Sequence, residues 1–201
     1  MKKINIRINS DLGEDKGVEK EIMPFLNSCS IACGGHTGDN RSMLETIVIA
    51  KKHGVKIGAH PSYPDKENFG RKNMSISQSD LRLSLISQIN SIAAIAKNLN
   101  TSIDHIKLHG ALYNFSTIDL QTASTVVNLI KSDYPDVFLY APYQSVISEL
   151  AIENDIKVYY EVFLDRNYNN DLSLVSREND NSMILDSKKM LDRLKNVINE
   201  N

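Results

Sequence analysis

Apolar residues in this chain fall in short runs separated by longer segments with helical spacing. Ile4, Ile6 and Ile8 alternate with polar residues, which predicts a strand over 3–9. A second strand over 28–33 runs into Gly34-Gly35-His36-Thr37-Gly38-Asp39. Met43, Ile47 and Ala50 recur at helical spacing and predict a helix over 40–53, ended by Gly54 as a C-cap. A third strand covers 55–60. Pro61 and Pro64 then impose a rigid loop through Phe69-Gly70-Arg71. Ser77 or Ser79 caps a long helix to Leu99, with Leu81, Leu85, Ile89, Ile92 and Ala96 on one face. That stripe reads as core packing.

The next strand, 105–109, stops at Gly110 and opens a loop to Asn114. A helix over 120–132, a strand over 137–141, a helix over 144–154 and a strand over 157–163 follow. Residues 169–181 are polar and irregular, and Asp186 caps a last helix to about Ile198. Six strands alternating with helices imply an α/β fold with a parallel sheet. Asp11, His36, His60, His109 and Glu161 lie at or near the C-terminal ends of different strands. Chemistry gathered from many strand ends favours a TIM-like (β/α) barrel over an open doubly wound sheet, which would concentrate it at one switch point.

Composition narrows the function classes. A chain of 201 residues fits one domain, here expected to span 1–201, and 41% hydrophobic with 24% charged residues is ordinary for a soluble protein. A net charge of −2 gives no reason to expect nucleic acid or an anionic membrane as partner. The N-terminus lacks the apolar core of a signal peptide and no later run could span a bilayer, so the expected location is the cytoplasm. Cys29 and Cys33 have no second pair and read as small buried hydrophobes.

Candidate chemistry centres on Lys107-Leu108-His109, where alternation puts an ammonium and an imidazole on the same face of a strand end. His60 and His36 end two other strands, and Asp11-Leu12-Gly13-Glu14-Asp15 follows the first. Taken singly, each histidine is more often structural than catalytic. His53 beside Gly54 suits a helix C-terminus, and His105 reads as a strand-start residue away from the site. The glycine-rich loop matches neither the Walker nor the dinucleotide spacing.

Several multi-residue motifs also carry a resemblance. They are Asn9-Ser10-Asp11-Leu12-Gly13-Glu14, Ile31-Ala32-Cys33-Gly34-Gly35-His36-Thr37-Gly38-Asp39, Gly58-Ala59-His60-Pro61-Ser62-Tyr63-Pro64-Asp65, Phe69-Gly70-Arg71 and His109-Gly110-Ala111-Leu112-Tyr113-Asn114. With Glu161-Val162-Phe163-Leu164-Asp165-Arg166, Tyr168, Val175-Ser176-Arg177 and Asp186, they resemble the LamB/YcsF family over nearly the whole chain. The resemblance implies an irregular (β/α) barrel related to glycoside hydrolase and deacetylase barrels. It implies ATP-dependent opening of the lactam 5-oxoproline to glutamate, with the B and C subunits of 5-oxoprolinase as partners. Whether the chain also forms a homo-oligomer is left open.

The departures are Leu108 for a proline, Gly35 for an aromatic residue and Asn68 for a glycine. The family also continues past the position of Asn201 through a strand with a His-Gly-Asp motif and a closing helix, so a barrel incomplete at its C-terminus is expected.

Opening a lactam through a phosphorylated oxygen needs cations for phosphoryl charge and groups that move protons. Asp11, Glu14, His36, His60, Lys107 and His109 are the expected catalytic residues. Asp39, Tyr63, Arg71, Tyr113, Asn114, Glu161 and Arg166 are expected to bind substrate. Asp11 with His60 and His109 is a set that could hold a divalent metal, as in the related deacetylases. Two other readings stand beside this one: a metal-dependent carbohydrate deacetylase that needs no ATP, and a non-catalytic subunit that keeps the fold.

Overall fold

The computed structural model describes residues 6–199. By backbone contacts the chain divides into two compact units, residues 7–160 and residues 161–199 with Ile6.

The first unit is built on six strands: β1 (Asn9–Leu12), β2 (Ser28–Ala32), β3 (Lys56–His60), β4 (His105–Lys107), β5 (Phe138–Ala141) and β6 (Val158–Tyr160). All neighbours are parallel and lie in chain order, β1 to β6. Helices α1 (Glu19–Ile22), α2 (Asn40–His53), α3 (Gln78–Asn98), α4 (Gly110–Ser116), α5 (Leu120–Asp133) and α6 (Val146–Glu153) fall between the strands. Sequential order without a reversal is the barrel pattern, since a doubly wound sheet would reverse at a switch point.

Cross-sheet contacts show the curl. Lys107 on β4 reaches Asp11 on β1 at 3.0 Å, and Tyr140 Oη on β5 lies 3.1 Å from Ser28 Oγ on β2. Three strand spacings in a flat sheet amount to about 14 Å, with side chains standing perpendicular to it. These pairs meet because the sheet folds around one face into a half-barrel, with β1 and β6 each paired on one side among the described residues.

Alternation divides the strands cleanly. Cys29, Ile31, Ile57, Ala59, Ile106 and Leu139 are buried on the apolar face, while Asn9, Asp11, Ser28, Ser30, His60, His105, Lys107 and Tyr140 take the other. The polar face is internally bonded. Asn9 donates to Ser30 Oγ at 3.2 Å and accepts from Ser28 at 3.0 Å; Ser30 Oγ lies 3.1 Å from His105 Nε2; and the His105 ring stacks on Tyr140. Hydrogen bonding is what allows so many polar groups to be buried together.

This polar face also moves the first strand. The predicted strand at 3–9 is found at Asn9–Leu12, and residues 3–5 of that prediction lie outside the described residues. The isoleucine alternation is not the strand signal, because Ile6 and Ile8 are 38% and 49% exposed. The true strand carries polar residues at its inward positions, so Asp11 lies within β1 and not in the loop after it.

The helices follow their caps. Asp39 accepts from Arg41 and Ser42 N–H groups in a capping box at the start of α2, and Gly54 closes that helix at φ 68°. Ser77 caps α3, whose Leu81, Leu85, Ile89, Ile92 and Ala96 are buried as expected. Asp119 and Ser145 cap α5 and α6. The predicted loop after Gly110 is instead the seven-residue helix α4. A helix that short shows no periodicity to read. The buried thiols of Cys29 and Cys33, each pushed up to about 12 by desolvation, behave as core hydrophobes.

In the second unit, α7 (Ser187–Asn199) begins where Asp186 accepts the Lys188 N–H at 2.8 Å. The segment before it is held by buried Arg166, which donates to the carbonyls of Val175 (2.6 Å) and Ser182 (3.2 Å). No helix is long and apolar enough to cross a membrane among the described residues.

Candidate functional site

The C-terminal ends of β1 to β4 bring six of the expected residues together. Asp11 stands near the end of β1, and Glu14 follows it in a turn opened by Gly13 at φ 70°. His36 projects from the loop after β2, where Gly34 N–H bonds Thr37 O at 2.8 Å. His60 is the last residue of β3; Lys107 ends β4, and His109 caps α4. Glu14, His36, His60, Lys107 and His109 are all buried.

Asp11 and Lys107 form one pair, with Nζ 3.0 Å from Oδ1 and 3.3 Å from Oδ2. The carboxylate is the more accessible partner, 28% exposed against 5% for the lysine side chain. Desolvation works against its ionisation, but His60 and the Lys107 ammonium outweigh this and hold it below the usual carboxylate range.

The imidazoles form a second group. His36 and His109 stack with ring centres 3.5 Å apart, and His60 stands edge-on to both. His60 Nε2 and His109 Nδ1 are 2.9 Å apart. Their other nitrogens face backbone carbonyls, His60 Nδ1 to Lys107 O at 2.8 Å and His109 Nε2 to Phe69 O at 3.0 Å. Glu14 Oε1 lies 3.4 Å from His36 Nε2, 3.5 Å from His109 Nδ1 and 4.0 Å from His60 Nε2, while Oε2 accepts from Lys16 at 2.7 Å. One ligand atom from each of Glu14, His36, His60 and His109 lies within 4.8 Å of the others. Asp11 approaches this group only through His60 Nε2, at 3.5 Å.

Burial opposes the Glu14 charge, yet His36 and Lys16 hold its carboxyl far below the ordinary range. Desolvation lowers His60 to about 4 and, reinforced by His60 and His36, depresses His109 well below the ordinary imidazole value. Around neutral pH the group thus comprises a carboxylate with His60 and His109 uncharged.

Phe69 and Gly70 explain the Phe-Gly-Arg motif. Phe69 adopts φ 54° and Gly70 φ 60°, which turns the Phe69 carbonyl onto His109. A Cβ on Gly70 would sit 3.0 Å from His36 Cβ and 3.2 Å from His109 Cδ2. The Phe69 ring packs edge-on against His36 and His109, and the exposed Arg71 guanidinium lies 4.8 Å from its centre. Gly35 has an equally local reason: a Cβ there would fall 2.3 Å from Gln88 Oε1 and 2.4 Å from Ser62 Oγ. Gln88 binds Ser62 through its backbone N–H (3.0 Å) and carbonyl (2.9 Å), filling the space an aromatic side chain would need.

The other expected residues take different places in the chain. Asp39 caps α2; Tyr63 is buried with its hydroxyl toward Thr122; Tyr113 is buried in α4; and Asn114 faces solvent. Glu161 and Arg166 belong to the second unit, and Glu161 lies beyond β6, which ends at Tyr160 and not at residue 163. Sequence reasoning missed Lys16 and the Phe69 carbonyl. The first has no pattern signal, whereas the second could have been sought from a bulky residue preceding glycine in a loop.

Comparison with known proteins places the chain and its fold. A family model described as the LamB/YcsF family matches residues 6–201. The chain belongs to the LamB/YcsF family. Within it, a protein of Campylobacter jejuni (strain 81-176), named as the A subunit of 5-oxoprolinase, is 38% identical over 200 residues, covering 97% of this chain and 78% of the relative. One of the same name from Acinetobacter baylyi is 39% identical over 202 residues, covering 98% and 80%. Among solved structures, a lactam utilization protein from Thermus thermophilus superposes with a TM-score of 0.87 at 32% identity, covering 94% of this chain and 79% of that one. The chain shares its fold with that protein over 94% of its own length, and the motifs named above supply Asp11, Glu14, His36, His60, Phe69 and His109.

Proposed function

We propose that this chain is the A subunit of a 5-oxoprolinase, which opens 5-oxo-L-proline to L-glutamate with hydrolysis of ATP, in the cytoplasm, together with the B and C subunits. Relatives of that name at 38–39% identity support the reading. The structural observation that carries it is the Asp11–Lys107 pair set beside buried imidazoles at the strand ends.

A lactam is a poor electrophile because its nitrogen lone pair is delocalised into the carbonyl. Transfer of the ATP γ-phosphoryl group to the carbonyl oxygen turns that oxygen into a leaving group. Water then adds to the carbon, the ring C–N bond breaks as the nitrogen takes up a proton to leave an acyl phosphate, and a second water displaces phosphate to give the carboxylate. Lys107 is suited to offset the negative charge that develops on oxygen, and ionised, accessible Asp11 to take a proton from the attacking water. Arg71, exposed over Phe69, is suited to the substrate carboxylate. Glu14, His36, His60 and His109 would form the buried floor.

The test is glutamate release from 5-oxoproline and ATP with the partner subunits supplied. Asp11→Asn and Lys107→Met should each lower kcat by about 10²- to 10⁴-fold in protein with an unchanged far-UV spectrum. Full turnover in both variants would discard these roles, and no turnover by the folded wild-type assembly would discard the reaction. The Glu14–His36–His60–His109 group favours a second reading, a carbohydrate deacetylase, which acetate release from N-acetylated sugars without ATP would reveal.

A further inference from the structure

The buried floor of the site has more acceptors than donors. A backbone carbonyl can only accept, so His60 Nδ1 must carry its proton toward Lys107 O, and His109 Nε2 its proton toward Phe69 O. A neutral imidazole has one N–H. The two nitrogens that face each other at 2.9 Å, His60 Nε2 and His109 Nδ1, therefore both present lone pairs. Glu14 Oε1, also an acceptor, faces both. His36 adds Nε2 from its 3.4 Å approach to Glu14; it is 2% exposed, and neither of its ring nitrogens has a hydrogen-bond partner among the described residues.

Lone pairs converging at such distances repel unless something positive lies between them. The nearby ammonium groups are directed elsewhere, Lys16 to the far oxygen of Glu14 and Lys107 to Asp11. A single proton would answer only the His60–His109 contact, whereas a metal cation among the four groups answers every one of these approaches at once. Both imidazoles already have the support that metal-bound histidines require, their distal N–H groups being fixed by backbone carbonyls.

We propose that Glu14, His36, His60 and His109 hold one divalent transition-metal ion. Three imidazoles and one carboxylate suit zinc, cobalt, manganese or iron, whereas magnesium and calcium prefer all-oxygen sites. Compared with the set expected from sequence, Glu14 and His36 are ligands and Asp11 is left to Lys107. The inference stands on the donor set alone and does not depend on the lactam reading.

The experiment is titration of the chelator-treated full chain with Co²⁺ and Zn²⁺, followed by calorimetry and by the visible absorption of bound Co²⁺, with Mg²⁺ for comparison. One equivalent of Co²⁺ should bind, be displaced by Zn²⁺ and be indifferent to Mg²⁺. Glu14→Gln and His36→Gln should each weaken binding at least about 10- to 100-fold while the far-UV spectrum is unchanged. Imidazole nitrogen NMR of the wild-type chain covers the case in which the variants do not fold. Added Zn²⁺ should shift His36, His60 and His109 and leave His53 and His105 alone. Three results would overturn the proposal: no stoichiometric Co²⁺ or Zn²⁺ binding by folded protein, binding indifferent to both variants, or a proton shared between His60 and His109 in protein that takes up no metal.

Discussion

His105 shows how one side chain can look like chemistry and be architecture. It lies between Ser30 Oγ (3.1 Å) and Asp104 Oδ2 (3.5 Å), an order of groups that resembles a nucleophile, a base and its orienting acid. All solvent is excluded from it, its ring stacks on Tyr140, and a Cβ on Gly58 would come 2.1 Å from its Nε2. A glycine is therefore required opposite the ring, and the trio braces the half-barrel interior. Desolvation lowers the His105 pKa, with Lys107 adding to it, and the opposing pull of Asp104 and Asp11 does not make up the difference. The sign of the consequence is fixed. As pH falls below the ordinary imidazole value of 6.5, the unfolded chain accepts a proton that native His105 refuses, so stability declines; it is recovered as pH rises. Urea unfolding of wild type and His105→Gln at about pH 7.5 and about pH 5.5 measures this. The variant should lose less stability between the two. An equal loss in both proteins would mean that His105 is protonated in the native state, contrary to its surroundings.

At the scale of elements, caps were the most legible feature of the sequence. Gly54, Ser77 and Asp186 stand where the chain suggested, because a cap is a local interaction with the adjoining turn. The site was legible only as residue types at strand ends. Which donors meet depends on turns at Gly13 and Phe69-Gly70, whose positive φ values re-aim Glu14 and the Phe69 carbonyl. No periodicity encodes those angles. For the same reason β1 was misplaced, since a strand with asparagine and aspartate facing a polar interior has no apolar alternation. Asp39 tests the difference between a cap and a ligand group. Its carboxylate already accepts two N–H groups, at 2.9 and 2.8 Å. Asp39→Ala should cost about 1 kcal/mol of stability in urea unfolding. The KM for substrate should be unchanged, and a tenfold rise in KM without a stability loss would restore the substrate-binding role.

For the whole molecule, the decisive fact is that Asp11, Glu14, His36, His60, Lys107 and His109 all lie within residues 7–160, in or just after strands that pair in chain order. Each βα passage delivers one or two groups to the same end, so the site is a product of the curl and not of any single motif. The unit of residues 161–199 has a different basis. Among the described residues it has no sheet of its own, only two isolated bridges, Arg166↔Met183 and Tyr168↔Leu174. Its order relies on arginines that satisfy backbone carbonyls: Arg166 holds Val175 and Ser182, and Arg193 donates to Arg166 O, to Phe163 O and to Asn167. A buried guanidinium that serves several carbonyls cannot be replaced by an apolar side chain without leaving those acceptors unpaired, at about 1–3 kcal/mol for each. Arg166→Met should accordingly speed amide hydrogen exchange across 165–183, read peptide by peptide by mass spectrometry. Amides of Ile31, Ile57, Ile106 and Leu139, at the buried centre of the sheet, should remain the slowest in wild type and variant alike. Faster exchange in those strands would mean that the two units open together, and that Arg166 supports the site's scaffold as well as its own segment.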